Sequence, residues 1–520
     1  MKDLLYKILF LTSVVLSFFS CASDEGNYDY RDLNELSISG LSDAQVLTYD
    51  RLEFSPSLGD KSLAEDAYTY EWKAVDRNGV NESYIIGESK NLDYEVTLSP
   101  GLYSLFFTVT EKTTGLYWQE EVSLLVSSSM SEGWMVLCSD AGRARLDVIS
   151  SVTGEIYRDM LASNGTPVYN GPRKIQWLSD KTDESSPYYL LTDDGATRLG
   201  KDDFGWKPEY DFQYEVAAPD RLAPYSIVSA GFGKVVVSGT KAYYCEIMGF
   251  DGLYGSAVNK SFPVSPYVGA NVSASQVYAA VYLLYDTSRK RFVAFCPLLS
   301  SNDLGGLEPL MDMDEFTQVA DGMAGDAGVV GIAFDEWPEG KELLYMENTR
   351  YDPGNAKMGL TYAVLSDVNG TYLYGIQLGD ILRYADCTYV LGKGYYGDLS
   401  QCRNIAEEGN LFAFSSLKNY MYYSSGSVVY RVDLSAEPLQ AQEMFRLQGE
   451  EITCLKFNLY RNPENLQKSY DLIVGSEKNG EGILRVYEGN GSGGDFRNVE
   501  PQVYGGFARI KDVEFKERVY

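Results

Sequence analysis

Short apolar runs fill most of the chain, and Gly, Asp, Asn and Ser residues separate them. Runs such as "YSLFFTVTE" alternate with a period of two, whereas stretches with the 3.6-residue period of an amphipathic helix are lacking. Period-two alternation is typical of strands that bury one face. The pattern therefore predicts an all-β protein, and the length of 520 residues predicts at least two domains.

The first predicted domain is a β-sandwich over residues 29–128. Leu105, Phe107 and Val109 recur at every second position ahead of a Thr-Gly turn, which predicts two paired strands. Trp72 stands in the run "YTYEWKAVD" and is expected to be the buried aromatic residue of a central strand. The polar segment "VSSSMSEG" then predicts a linker.

The second predicted domain covers residues 130–520 and repeats itself loosely. Each repeat contains an apolar strand, a turn and a second strand rich in Tyr and Val. The leading strands begin near Trp134, Tyr188, Lys234, Tyr282, Glu342, Asn410 and Asp471. This spacing, roughly 47 to 68 residues, suits the blades of a β-propeller. We therefore predict seven blades, with two separate sandwiches as the alternative.

The C-terminal end supplies a strand that the first repeat lacks. An earlier strand precedes most of the pairs, in "RKIQWLSD", "APYSIVSA", "VVGIAFDE" and "EITCLKFN", but Trp134 follows the linker directly. The segment "ARIKDVEFKE" (508–517) matches these strands in pattern. We predict that it crosses back to the strand at Trp134 and closes the propeller, because this pairing removes a free sheet edge.

The N-terminal residues predict export and a lipid anchor. Lys2 and Lys7 precede an apolar core from Ile8 to Phe19 and the small residue Ser20, which is the layout of a signal peptide over residues 1–20. The junction before Cys21 resembles a bacterial lipobox, in which this cysteine carries the lipid and residues 21–28 form a tether. An ordinary cleaved signal with a chance cysteine is the alternative.

Acidic residues follow the cysteine and dominate the whole chain. Ser23, Asp24 and Glu25 resemble the surface-export signal of Bacteroidetes lipoproteins, with a plain tether as the alternative. The formal net charge is −30 at pH 7. Such a charge disfavours nucleic acids and other polyanions and favours neutral or cationic ligands.

The absence of histidine limits the chemistry. The sequence contains no histidine, so Ser-His-Asp and Cys-His nucleophile systems and imidazole zinc sites are excluded. The cysteines after Cys21 stand at positions 138, 245, 296, 387, 402 and 454, none in a Cys-x-x-Cys motif. They are expected to be buried residues and not metal ligands or disulfides. We predict no cofactor and no metal.

The lipobox, the Tyr70-Glu71-Trp72 region and the repeats together resemble PKD-like family lipoproteins of Bacteroidetes. The resemblance implies an immunoglobulin-type PKD-like sandwich and an accessory role in a Sus-type nutrient uptake system. It further implies an outer-membrane location facing the cell exterior, a TonB-dependent transporter and its capping lipoprotein as partners, and an oligosaccharide or oligopeptide ligand. It supplies no catalytic motif.

Two tryptophans are candidate ligand-binding residues. Trp206, in "DFGWKPEY", and Trp337, in "FDEWPEG", stand in loop-like stretches between blade strands. An exposed indole ring stacks on sugar rings or holds a peptide side chain. The alternative is that each tryptophan caps a blade edge or packs against a neighbour.

Paired acids raise a second hypothesis. "TDDG" (192–195), "KDDF" (201–204) and "MDMDEF" (311–316) are candidate sources of two facing carboxylates, which glycosidases require. A binding protein is the leading hypothesis, a carboxylate-based glycan hydrolase or lyase the second, and a structural or adhesive surface protein the third.

Overall fold

The computed structural model describes residues 36–59, 64–77, 82–178, 188–217, 221–231, 233–246, 252–271, 279–297, 310–323, 329–330, 333–351, 359–378, 380–381, 391–460, 463–489, 491 and 493–517. The chain divides into two compact units. The N-terminal unit runs to residue 126 without residues 98–100, and the C-terminal unit comprises residues 98–100 and 127–520. Strands dominate the described part of both units, so the predicted all-β class is confirmed.

The N-terminal unit is built around a five-stranded sheet of order β2-β9-β8-β5-β6. Two further pairs, β1 with β4 and β3 with β7, complete its described strands. The strands are β1 (Ser37–Ser39), β2 (Ala44–Leu47), β3 (Arg51–Phe54), β4 (Ser57–Gly59), β5 (Tyr68–Asp76), β6 (Ser83–Gly87), β7 (Leu92–Glu95), β8 (Gly101–Glu111) and β9 (Tyr117–Ser127). A 3₁₀ helix at Glu65–Ala67 precedes β5.

Trp72 is the centre of this unit's core, as predicted. It lies on β5, between β8 and β6, and its exposed fraction is 0%. Its ring stacks on Phe54 with centroids 5.6 Å apart and contacts Phe107 at 4.4 Å. Its Nε1 donates a hydrogen bond to the carbonyl of Ser89 at 2.9 Å. Because β3 packs on a face of the large sheet through Phe54, the unit has two layers.

The C-terminal unit contains the remaining strands. In chain order they are β10 (Gly133–Asp140), β11 (Arg143–Ser150), β12 (Ile156–Tyr157), β13 (Pro172–Trp177), β14 (Tyr188–Thr192), β15 (Gly195–Leu199), β16 (Pro224–Ala230), β17 (Gly233–Ser238), β18 (Lys241–Glu246), β19 (Gly269–Ala270), β20 (Ala279–Ala280), β21 (Tyr282–Asp286), β22 (Arg291–Phe295), β23 (Leu310–Asp312), β24 (Val329–Val330), β25 (Glu342–Asn348), β26 (Thr361–Asp367), β27 (Gly370–Leu378), β28 (Asp380–Ile381), β29 (Leu391–Asp398), β30 (Phe412–Phe414), β31 (Tyr420–Ser425), β32 (Val428–Asp433), β33 (Ala441–Arg446), β34 (Glu451–Lys456), β35 (Leu472–Lys478), β36 (Glu481–Tyr487), β37 (Gln502–Phe507) and β38 (Arg509–Lys516).

These strands form seven sheets of three to five strands within the described residues, and β20 pairs separately with β28. We number the sheets I to VII in chain order: β12-β11-β10-β38, β13-β14-β15, β16-β17-β18, β19-β21-β22-β23, β24-β29-β27-β26-β25, β30-β31-β32-β33 and β34-β35-β36-β37. Helices are short: α1 (Met160–Ser163), α2 (Met313–Met323) and 3₁₀ helices at Pro208–Tyr210, Phe212–Glu215 and Pro463–Tyr470.

The predicted return of the C-terminal strand is confirmed. β38 pairs antiparallel with β10, with Trp134 opposite Phe515. The two rings meet edge to face with centroids 4.9 Å apart. The strand also contacts its neighbours in space, because Asp512 accepts a hydrogen bond from the Ile175 amide at 3.1 Å and pairs with Lys456 at 3.1 Å.

The sheets pack on one another in cyclic order. Separate apolar clusters join sheets I and II, II and III, III and IV, IV and V, V and VI, and VI and VII, and a seventh joins VII to I. One edge strand of each sheet contacts an edge strand of the next sheet. In the order of sheets I to VII these edge strands are β38, β13, β16, β19, β25, β30 and β34, and β34 also contacts β38. These contacts give the first and last sheets of the unit an apolar neighbour on both sides.

One strand prediction is wrong. "VVGIAFDE" was expected to precede the pair at Glu342, but the described part of its strand is Val329–Val330, which runs parallel to β29 at the opposite edge of sheet V. The edge at which this strand was expected is formed by β25 itself. An apolar run shows that a strand is buried, but it carries no information about which sheet edge the strand joins.

The predicted burial of the cysteines is confirmed for the described positions. Cys138, Cys245, Cys296, Cys402 and Cys454 are buried, and none of these five forms a disulfide. Cys21 and Cys387 lie outside the described residues. Among the residues described, no helix is both long and apolar enough to span a membrane.

Candidate ligand-binding cleft

A cleft of about 850 Å³ opens beside sheet II. Its wall combines three aromatic rings with three charged side chains: Tyr169, Trp206, Tyr214, Asp194, Asp211 and Arg221. Pro167, Val168, Pro208 and Gln213 complete the lining. Aromatic surface with a few convergent polar groups is typical of small-molecule and saccharide sites.

A tight turn after β15 presents Trp206. The Gly200 amide donates to the Gly205 carbonyl at 2.8 Å, and Phe204 has a φ of 58° with its ring fully buried. Because Phe204 anchors the turn, the next residues are directed outward. Trp206 is half-buried and its Nε1 donates to Thr197 Oγ1 at 3.0 Å, which fixes the ring along one side of the cleft.

The 3₁₀ helix at Phe212–Glu215 presents Tyr214. The Asp211 carboxylate caps this helix by accepting the Gln213 amide at 2.9 Å. Phe212 turns inward and packs on Tyr254 with ring centroids 5.3 Å apart. Tyr214 lies on the other side and its side chain is 67% exposed. A large exposed ring at a cleft mouth is available to a ligand.

Tyr169 forms the buried side of the cleft. It is 5% exposed, and its carbonyl accepts a hydrogen bond from the Ala144 amide at 2.8 Å, which ties the segment before β13 to sheet I. Burial, followed by the negative charge of Asp211, raises the pKa of Tyr169, while hydrogen bonds with Thr197 and Arg221 oppose this shift. The phenol therefore stays protonated at neutral pH and offers an O–H group.

The charged groups are held by protein donors. Arg221 pairs with Asp211 at 3.3 Å, and its Nε donates to the Asp194 carbonyl at 3.1 Å. The Asp194 carboxylate accepts from the amide and the side chain of Asn170 at 2.8 and 2.9 Å. Two carboxylates and one guanidinium leave the cleft with a negative balance, which disfavours an anionic ligand.

The second predicted tryptophan does not line this cleft. Trp337 is 8% exposed and packs in the core between sheets IV and V. Its Nε1 donates to Thr317 Oγ1 at 3.0 Å, Phe334 meets it edge to face at 5.3 Å, and the Lys393 ammonium lies 5.1 Å from its ring. The protein itself covers this ring, so we do not include it in the candidate site.

The predicted acid clusters have separate fates. Asp194, of "TDDG", lies in the cleft, whereas its neighbour Asp193 pairs with Arg173 at 2.7 Å. In "KDDF", Asp203 accepts the Gly205 amide at 2.7 Å. In "MDMDEF", Asp312 accepts the Glu315 amide at 2.9 Å, at the start of α2. Within the described residues, no group of three or more acidic or cysteine side chains could hold a metal ion.

The remaining predicted positions lie outside the described residues. These are Cys21 and the predicted export-signal residues Ser23, Asp24 and Glu25. Sequence reasoning missed Tyr169, Asp211, Tyr214 and Arg221. Nothing distinguishes the cleft tyrosines from the others among the 42 of the chain, and only the fold brings these four residues to Trp206.

The family model that matches the chain is that of the PKD-like family, over residues 21–172. This range contains the whole described part of the two-layered N-terminal unit, which is therefore PKD-like, and it extends into sheet I. None of the curated proteins matches the chain significantly.

Three solved structures illustrate the remaining similarities. A quinonprotein alcohol dehydrogenase-like protein from Bacteroides thetaiotaomicron is 12% identical, with 92% of this chain and 96% of that chain covered and a TM-score of 0.42. The PKD domain of human KIAA0319 is 24% identical over 19% of this chain and 88% of that chain, with a TM-score of 0.16. Hsv2 of Kluyveromyces lactis is 7% identical over 71% of this chain and 98% of that chain, with a TM-score of 0.34.

Proposed function

We propose that this protein is a non-catalytic binding protein that captures an oligosaccharide in the cleft around Trp206. The observation that carries the proposal is the combination in one cleft of a half-buried Trp206, the 67% exposed Tyr214 and the hydrogen-bonding groups of Tyr169 and Asp194. Aromatic faces cover the apolar faces of a pyranose ring, and the polar groups bond its hydroxyls. The negative balance of the cleft favours a neutral sugar.

We further propose that the C-terminal unit is a seven-bladed β-propeller. The cyclic order of the seven apolar clusters supports this architecture. So do the contacts among the edge strands of successive sheets and the pairing of β38 with β10. In such a ring the loops between blade strands form binding surfaces. The cleft is built from loops of this kind around sheet II.

The proposed setting is the outer surface of the outer membrane. A lipidated Cys21 would hold the protein there, with Ser23, Asp24 and Glu25 as the export signal and residues 1–20 removed. In this setting the protein would be an accessory of a Sus-type uptake complex, with a TonB-dependent transporter and its capping lipoprotein as partners. Mass spectrometry of the mature N-terminus tests the anchor, and protease treatment of intact cells tests surface exposure. An unmodified terminus or a protected protein contradicts this setting.

Titration calorimetry tests the binding proposal. The probes are neutral hexasaccharides (maltohexaose, cellohexaose and xylohexaose), hexagalacturonate as an anionic comparison and a panel of neutral hexapeptides. We expect heat from at least one neutral saccharide and little from the uronate. We expect an affinity about five- to thirtyfold lower in Trp206→Ala, because one stacked ring contributes about 1–2 kcal/mol.

Two tyrosines provide a matched control. Tyr214 and Tyr117 are both 67% exposed, but Tyr117 belongs to the N-terminal unit. Tyr214→Ala should weaken binding severalfold, whereas Tyr117→Ala should leave it unchanged. Binding that survives Trp206→Ala and Tyr214→Ala would place the ligand elsewhere. Heat from the peptides alone would identify an oligopeptide as the ligand.

A glycan hydrolase or lyase is the second candidate, because Asp194 and Asp211 both line the cleft. Glycoside hydrolysis requires one carboxyl group that donates a proton. Asp194 and Asp211 both accept hydrogen bonds from N–H groups instead, and neither is placed as a donor. Prolonged incubation with the same saccharides should therefore yield no product by mass spectrometry. Turnover that disappears in both Asp194→Asn and Asp211→Asn would instead establish the enzyme.

A further inference from the structure

A lysine of the closing strand reaches the turn that carries Trp206. Lys516 is the last residue of β38 and is 3% exposed. Its Nζ donates to the carbonyl of Lys201, 315 positions away in the chain. It also donates to the carbonyl of Asp202 at 3.4 Å, and it lies 4.5 Å from the ring centroid of Phe204. Its contacts thus converge on residues 201–204.

The burial of this amino group is costly, and the turn offsets part of the cost. Burial lowers the pKa of Lys516 to about 7, against the opposing charges of Asp202 and Asp203. Carbonyl oxygens and aromatic faces replace part of the lost hydration, since the Tyr188 ring also lies 5.4 Å away. The amino group donates to the two carbonyls in either charge state, so its hydrogen bonds fix the position of that backbone.

Two other side chains hold the turn by hydrogen bonds. The Asn164 side chain donates to the Asp203 carbonyl at 2.6 Å, and the Ser128 hydroxyl donates to the Asp202 carbonyl at 3.4 Å. Asn164 is an exposed contact, whereas Lys516 is buried on a strand of sheet I. The turn therefore takes its firmest external support from the C-terminal strand.

We propose that Lys516 is a positioning residue of the Trp206 cleft, because it holds the turn at residues 200–205 and so sets where the Trp206 ring meets the ligand. This inference rests on the proposed function. It links two features that are far apart in sequence: the strand that completes sheet I also orders the binding loop of sheet II. Lys516 need not touch the ligand.

Hydrogen exchange measured by mass spectrometry tests the turn without any ligand. Lys516→Met removes the ammonium and keeps an apolar stem against Phe204. Lys511→Met removes the same charge from an exposed position of the same strand. We expect amides of residues 200–206 to exchange at least about tenfold faster in Lys516→Met, with β10 still protected, and to be unchanged in Lys511→Met. Unchanged exchange of the turn in a folded Lys516→Met protein would overturn the inference.

Calorimetry with the saccharide that the wild-type protein binds completes the test. We expect its affinity to fall about three- to tenfold in Lys516→Met and to be retained in Lys511→Met. Fast exchange with unchanged affinity would overturn the positioning role. Fast exchange in Lys516→Met, with no heat from any probe in any variant, supports the hold on the turn and counts against the proposed function.

A wild-type measurement covers the case in which Lys516→Met does not fold. Native-state exchange at low denaturant resolves local openings by their free energy and denaturant dependence. We expect residues 200–206 to open together with β38, at the same denaturant dependence. A turn that opens while β38 stays protected would show that Lys516 does not hold it.

Discussion

Glu347 is a half-buried acid whose environment raises its pKa. It lies on β25, where its Oε2 accepts hydrogen bonds from the Tyr345 hydroxyl at 3.0 Å and the Phe414 amide at 3.2 Å. Burial raises its pKa to about 7, while these two hydrogen bonds and the charges of Lys174 and Lys456 oppose the shift. A change in its proton count therefore occurs within the physiological range.

The sign of the resulting pH dependence follows from proton linkage. In the unfolded chain Glu347 loses its proton near pH 4.5, whereas in the folded protein it keeps the proton until about pH 7. Between these values the folded state binds more protons, so its contribution to the free energy of unfolding falls as pH rises. We expect Glu347→Gln to remove this fall and to gain about 3 kcal/mol over wild type between pH 4.5 and pH 8.

Urea unfolding across this pH range measures the effect. The comparison is between variants, because Asp471 and Glu514 also have raised pKa values and contribute to the dependence of every protein in the series. Glu342→Gln, at an exposed position of the same strand, is the control and should follow wild type. Parallel curves for wild type and Glu347→Gln would contradict the assigned role of Glu347.

The C-terminal strand is the element on which the C-terminal unit depends most. Ile510, Val513 and Phe515 of β38 join the cluster between sheets VII and I, and Lys456 pairs with both Asp512 and Glu514 at 3.1 Å. Deletion of residues 508–520 should expose the edge of β10, remove these three apolar side chains from the cluster and leave the half-buried Lys456 without its partners. Because burial of each such apolar side chain contributes about 1.5–3 kcal/mol, we expect loss of cooperative unfolding by circular dichroism.

The matched control for this truncation removes only residues 518–520, which leaves β38 complete. That variant should unfold like the full chain. A protein without residues 508–520 that keeps a single sharp transition would show that sheet I is stable without its fourth strand.

At the scale of elements, apolar pattern predicted most of the fold. The strand starts near Trp134, Tyr188 and Tyr282 coincide with β10, β14 and β21, because a strand buried on both faces leaves a continuous apolar run. The pairing of strands with one another was harder to predict from the sequence. The return of β38 could be predicted because one repeat lacked a strand, whereas the parallel partner of β24 has no counterpart elsewhere in the chain.

The cleft was predictable only in part, for a physical reason. Trp206 and Trp337 both stand in loop-like stretches, yet Trp206 is half-buried in the cleft and Trp337 packs against Phe334 and Lys393. Burial depends on what the rest of the chain places around a ring, which local sequence does not record. For the same reason Tyr169, Tyr214 and Arg221 carried no local signal.

At the scale of the whole molecule, the cyclic arrangement of the C-terminal unit bears on how it unfolds. In an open row of repeats, the terminal repeats have one neighbour and fray first. Here the cluster that contains Trp134, Ile473 and Phe515 gives sheets VII and I the neighbours that end repeats would lack. Stability should therefore be shared around the unit, and a local defect should weaken all seven sheets together.

Two core substitutions on different parts of the unit test this cooperativity. Val236 belongs to the cluster between sheets II and III, Val432 to the cluster between V and VI, and both are 0% exposed. Each Val→Ala change should cost about 1–3 kcal/mol through lost burial and a small cavity. In pulsed hydrogen exchange along a urea titration, we expect β10, β17, β26 and β35 to lose protection at one shared midpoint, lowered in both variants, whereas protection lost first around the substituted sheet would mean that the sheets behave as an open row.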